Sequence, residues 1–127
     1  MRAGWALLRH AQKRMTLSLA KRLGPALELF GALLAQVDQT VQASQANLRV
    51  VLLPGASFVL HPQSSAARYQ TYLAQQIRER FANYRVQDVA GQMLERAKSE
   101  DAREWYFPNE GHLTQKGHRT VAFLLEP

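Results

Sequence analysis

The sequence predicts an α/β protein, a three-layer α/β/α sandwich with an incomplete sheet. A short and almost uninterrupted apolar run, Leu48-Arg49-Val50-Val51-Leu52-Leu53, is halted by Pro54-Gly55, which is the pattern of a strand covered on both faces. Helical patterns stand on either side of it, and such alternation gives parallel strands with helical crossovers. Only two strands are legible where a sheet of this type has about four to six, so the expectation is that the rest of the sheet lies in residues outside this chain.

The elements follow in order. Trp5, Leu8, Met15, Leu19 and Leu23 share one face of a first helix, and Gly24-Pro25 punctuates it, since Gly suits a helix end and Pro a helix start. Leu27, Phe30, Leu34, Val37 and Val41 recur at three- and four-residue steps, the buried stripe of a second helix running to about Ala46. The organisation expected is therefore a basic amphipathic helix over 1–24 and one domain over 25–127. After the strand, Pro54 to Ser65 reads as a loop. Ser64 or Ser65 then caps a helix through Tyr69, Leu73, Ile77 and Phe81 that ends near Asn83. Tyr84 to Val89 reads as a second short strand and Val89 to Lys98 as a short helix through Met93 and Leu94. An aromatic cluster, Trp105-Tyr106-Phe107-Pro108, precedes a polar turn over Asn109 to Leu113. Thr114 is placed to cap a last helix that buries Val121, Ala122, Leu124 and Leu125.

With 46% hydrophobic residues the 127-residue chain has enough apolar material for a core, which excludes a disordered tail. It contains no cysteine, which excludes a disulfide framework, a thiolate metal site and a Cys nucleophile. The net charge of +6 is concentrated rather than spread. Arg2, Arg9, Lys13, Arg14, Lys21 and Arg22 are met by no acid in the first 22 residues, while the rest of the chain carries ten residues of each sign. The apolar run Trp5 to Leu8 is too short for a signal peptide, and nothing approaches the roughly 20 apolar residues of a membrane span. The expectation for residues 1–22 is a solvated connecting helix, with attachment to an acidic membrane surface or to nucleic acid as the functional alternative. Nucleic acid is not expected as a partner.

The stretch Tyr106-Phe107-Pro108-Asn109-Glu110-Gly111-His112-Leu113-Thr114-Gln115-Lys116-Gly117-His118-Arg119, followed by an apolar helix, carries the chemistry. It resembles the final block of SGNH/GDSL hydrolases and related sugar O-acetyltransferases, in which an acid stands two or three positions before a histidine, followed by a polar cap and a glycine opening the last helix. The order upstream, an apolar strand ending in Pro, a loop, a helix and a short Val-x-Asp-Val segment, extends the likeness over about Leu48 to Leu125. The resemblance implies the flavodoxin-like α/β/α fold, a serine esterase or O-acyltransferase, ester or acetylated-carbohydrate substrates and no cofactor. It makes His112 the general base, which would take a proton from a serine hydroxyl and return it to the leaving group. Glu110 would hold the imidazole in its tautomer and stabilise the imidazolium. Here the chain departs from the family, which usually has Asp: the three-back position is Asn109, which has no charge to offer. Gly111 would allow a tight turn, and Gly117 would let the last helix approach its neighbours closely.

His118 is expected to pack or face solvent, and His10 and His61 show no partner pattern. A zinc site from His112, His118 and Glu110 fits one helix face poorly. The family's Gly-Asp-Ser nucleophile is absent. Its nearest imitation, Gly55-Ala56-Ser57, lacks the Asp and stands only 55 residues before His112. The expectation is a base-bearing portion that is inactive alone and works with a missing N-terminal half or by self-association. The alternative is a non-catalytic carbohydrate- or protein-binding module in which Trp105, Tyr106 or Phe107 stacks on sugar rings, although core packing is the expected use of these aromatics.

Overall fold

The computed structural model describes residues 2–125, with the side chains of residues 2–8 and 12 outside the description; Trp5 and Leu8 of the expected first stripe fall there. The chain divides into two units, residues 1–48 and residues 49–127.

The first unit is a helix, α1 (Arg2–Ala43), of 42 residues, about 63 Å long at 1.5 Å per residue. The expected break at Gly24-Pro25 is corrected: Pro25 lies inside the helix. A proline there removes one backbone donor, but the stripe carried by Leu23, Leu27 and Leu34, all buried, keeps its phase across Pro25, so burial favours continuing the helix. Val37, expected on that stripe, is 49% exposed. The helix ends in paired reversed hydrogen bonds, Ala46 N–H to Val41 C=O at 3.1 Å and Gln45 N–H to Gln42 C=O at 2.9 Å. Gln45 between them takes a left-handed φ of 56°, the conformation a glycine normally supplies at this position.

The second unit holds two parallel strands, β1 (Arg49–Val51) and β2 (Arg85–Gln87), with Val50 opposite Val86. Four helices accompany them: α2 (Ala56–Leu60), α3 (Ser65–Arg80), α4 (Val89–Arg96) and α5 (Gln115–Leu124), with a 3-10 turn over Ala102–Trp105. The three-layer α/β/α sandwich expected from the sequence is therefore overturned. The described chain is mostly helical, and its only sheet has two strands of three residues each. The apolar run that suggested a doubly covered strand is only partly buried over Arg49 to Leu52. Val51 packs against the core, whereas Leu53 is 52% exposed beside an apolar groove of about 420 Å³ that it shares with Tyr69 and Leu73.

The core collects Phe58, Val59, Ala67, Val89, Met93, Trp105, Tyr106 and Val121. Trp105, Met93 and Val89 are fully enclosed. The segment read as a loop after the first strand contains α2, formed because Phe58 and Val59 face the core. Local capping sets the helix starts: Ser64 accepts from Ala67 N–H at 3.1 Å, Asp88 from Gly91 N–H at 2.9 Å, and Thr114 from Gly117 N–H at 3.2 Å. Each satisfies a donor that a helix start otherwise leaves open. The buried Gln87 side chain donates to the Leu124 carbonyl at 2.6 Å, tying β2 to the end of α5. The face of α5 also differs from expectation: Gly117, Thr120 and Val121 are buried, while Ala122 and Leu125 are exposed.

Gly117 lies under the 3-10 turn, where a Cβ would overlap the Trp105 carbonyl oxygen and come within 2.8 Å of Leu113 Cδ2. Because the first obstacle is backbone, Gly117→Ala is expected to destabilise the second unit by about 3 kcal/mol, as over-packing does. Gln45→Gly is expected to stabilise α1 by up to about 1 kcal/mol by relieving the left-handed conformation. Chemical denaturation of both variants beside the parent chain checks the pair of opposite signs.

Candidate functional site

The motif turn is built outward from Trp105. Its carbonyl accepts the Thr114 N–H at 2.8 Å, and Phe107 N–H donates to the His112 carbonyl at 2.9 Å. Tyr106 and Leu113 form an antiparallel bridge between these bonds. The segment 107–112 is thus a narrow turn. Asn109 has φ 65° and Gly111 φ 72°, left-handed positions that Asn and Gly tolerate best. Gly111 lies against α2, where an added Cβ would stand 3.8 Å from the Ala56 Cβ.

This turn and α2 enclose an open cleft of about 590 Å³ lined by Ser57, His61, Arg103, Tyr106, Phe107, Asn109, Glu110 and Gly111 among others. Asn109, the three-back position, gives the turn its left-handed bend and lines the cleft. Glu110 also lines it, while His112 lies outside the lining. His112 Nδ1 stands 3.9 Å from Glu110 Oε2, and the two side chains are 82% and 67% exposed. At that separation the carboxylate faces the correct nitrogen but makes no hydrogen bond, which needs about 2.7–3.2 Å. The acid must approach by roughly 1 Å to fix the ring.

Ser57 is exposed on α2, one turn before His61, whose N–H donates to the Ser57 carbonyl at 3.0 Å. Both line the cleft. His61, for which the sequence offered no partner pattern, stands at the C-terminal cap of α2 and is brought to the cleft by it. His118 is exposed on α5. Among the described residues no three His, Asp or Glu side chains converge to hold a metal.

The aromatic cluster divides between core and cleft. Trp105 and Tyr106 are buried, whereas Phe107 is 49% exposed at the cleft. Burial pushes the Tyr106 phenol up to about 12, so it stays protonated at neutral pH. Asp101 caps the 3-10 turn by accepting from Arg103 N–H at 3.1 Å and also accepts from the Arg103 guanidinium. These side-chain and backbone hydrogen bonds hold its carboxyl down at about 2.

The loop entering α2 is pinned by one side-chain amide. Gln70 donates from Nε2 to the Leu53 carbonyl at 3.0 Å and accepts at Oε1 from Gly55 N–H at 3.1 Å, as a neighbouring strand would. Comparison with known proteins gives no match: no family model, no curated protein and no solved structure aligns with the chain.

Gln70→Ala removes both bonds. The expected outcome is a loss of about 1 kcal/mol in stability and faster amide exchange at Gly55, Ala56 and Ser57 than in the remaining core, read by hydrogen–deuterium exchange. The Asp101 interaction has a definite pH sign. A depressed carboxyl contributes stability that is fully present above about pH 4, its unfolded range, and is lost as pH falls towards about 2. Asp101→Asn should therefore flatten the acid limb of the stability profile within that window and leave the neutral region's slope unchanged.

Proposed function

We propose that the chain is the base-bearing portion of an SGNH-type serine esterase or O-acyltransferase, in which His112 is the general base, Glu110 its orienting acid, and the serine comes from outside this sequence. The supporting observation is the Glu110–His112 pair: a carboxylate facing Nδ1 at 3.9 Å on a turn clamped at both ends by backbone hydrogen bonds. With Nδ1–H directed at Glu110, Nε2 is left to accept the serine proton and later deliver it to the leaving group. The exposure of the imidazole suits a base that waits for its nucleophile to be brought to it.

The pair is tested by hydrolysis of p-nitrophenyl acetate. The chain alone is expected to show no rate above buffer, and neither His112→Ala nor Ser57→Ala should change that. Co-expression with a polypeptide carrying a strand that ends in Gly-Asp-Ser should restore hydrolysis, which His112→Ala then reduces by about 10²–10⁴-fold. Hydrolysis by the chain alone that disappears in Ser57→Ala would place the nucleophile on α2 and sink the proposal.

One observation favours a second reading, a carbohydrate-binding module. Phe107 is half-exposed at a cleft that also presents Asn109 and Glu110, the pairing of an aromatic face with polar groups that suits a sugar ring. Binding of acetylated oligosaccharides that is lost in Phe107→Ala but kept in His112→Ala supports this reading over the catalytic one.

A further inference from the structure

We propose that the cationic face of α1 docks on an anionic membrane surface. Arg9, Lys13, Leu17 and Lys21 follow one another at four-residue steps, so they form a single ridge along the helix. His10 and Arg14 flank it, and all six are exposed. The ridge lies across the helix from Met15 and Leu19, which are half-buried, and from Leu23, which is buried. No acid occurs before Glu28.

Leu17 decides the kind of partner. It is 61% exposed and sits between Lys13 and Lys21 on the same ridge. A nucleic-acid backbone offers a leucine nothing, because its phosphate surface is read by cations and hydrogen-bond donors. A bilayer interface takes both: the leucine enters the acyl boundary while the lysine and arginine stems lie along the surface and reach the headgroups. Each basic residue near an anionic leaflet is worth about a fivefold gain in partitioning. The leucine adds about tenfold by burying apolar area. No helix of the described residues is long and apolar enough to cross a membrane, so the mode is docking on the surface.

The experiment is co-sedimentation of the full chain with vesicles of phosphatidylcholine containing one-third phosphatidylserine, beside vesicles of phosphatidylcholine alone, at roughly 0.1 M salt. Binding should require phosphatidylserine and weaken as salt rises. Lys13→Gln with Lys21→Gln should lower partitioning about 25-fold. Leu17→Gln should lower it about tenfold while leaving the chain's retention by a DNA duplex unchanged. Circular dichroism of each variant confirms that the helix persists. Equal binding to both vesicle types, no binding to either, or a Leu17→Gln variant that partitions like the parent overturns the proposal. Capture by duplex DNA without capture by vesicles also overturns it and assigns the ridge to nucleic acid.

Discussion

The second unit depends on how one backbone carbonyl, that of Trp105, is used. It accepts the Thr114 N–H and stands over Gly117, where no side chain could be accommodated. Thr114 completes the joint: its hydroxyl donates to the Glu104 carbonyl at 2.6 Å and accepts from Gly117 N–H at 3.2 Å. Three backbone groups that the start of α5 and the end of the 3-10 turn would otherwise leave open are satisfied by one residue. The turn bearing Asn109, Glu110 and His112 is the loop between these bonded ends, so its path is set from below by the joint and not by contacts among its own exposed side chains.

The joint is formed inside an apolar setting that bears a polar cost. Trp105 Nε1 and the Tyr106 hydroxyl are buried without a protein partner, at about 1–3 kcal/mol each. An indole buries about 150–250 Å², which at roughly 25 cal/mol per Å² contributes on the order of 4–6 kcal/mol. For Trp105 the apolar gain exceeds the polar loss, so the ring stays in the core. Of the three rings, Tyr106 lines the cleft from a buried position and Phe107 alone stays half-exposed there.

The elements that capping and periodicity define were legible in the sequence. Ser64 and Thr114 begin helices where their hydroxyls suggested, and the runs around Val50 and Val86 are the two strands. What failed was inference from strand character to architecture. Val50, Val51 and Leu52 read as doubly covered because they are consecutive and apolar, yet apolarity records only what a residue tolerates, not what surrounds it. The break at Pro25 failed for a related reason: a local breaker was weighed against no tertiary alternative, and the stripe from Leu23 to Leu34 prevailed over it. α2 was hidden because Pro54, Gly55 and Pro62 frame it in loop composition, although the triplet Phe58-Val59-Leu60 was the residue pattern of a buried turn. At the candidate site the acid, glycine and histidine were readable by type and spacing. The 3.9 Å gap between Glu110 and His112 and the approach of Gly111 to Ala56 follow from the left-handed turn at Asn109 and Gly111, which the sequence permits without requiring.

Charge plays different parts in the two units. In the second, the ion pairs Arg78–Asp88, Arg96–Glu100, Lys98–Glu95, Arg103–Asp101 and Lys116–Glu104 are all partly or fully exposed. Such pairs contribute little, so burial around Trp105, Met93 and Val89 holds that unit together. Along α1 the opposite holds. Arg9 and Lys13 are like charges at i, i+4, an arrangement that costs helix stability by a few tenths of a kcal/mol, and no carboxylate before Glu28 offsets it. The charge of α1 therefore does nothing for the helix that carries it. In the proposed docking that cost is offset by anionic headgroups, and the exposed Leu17 of the same ridge enters the acyl boundary beside them.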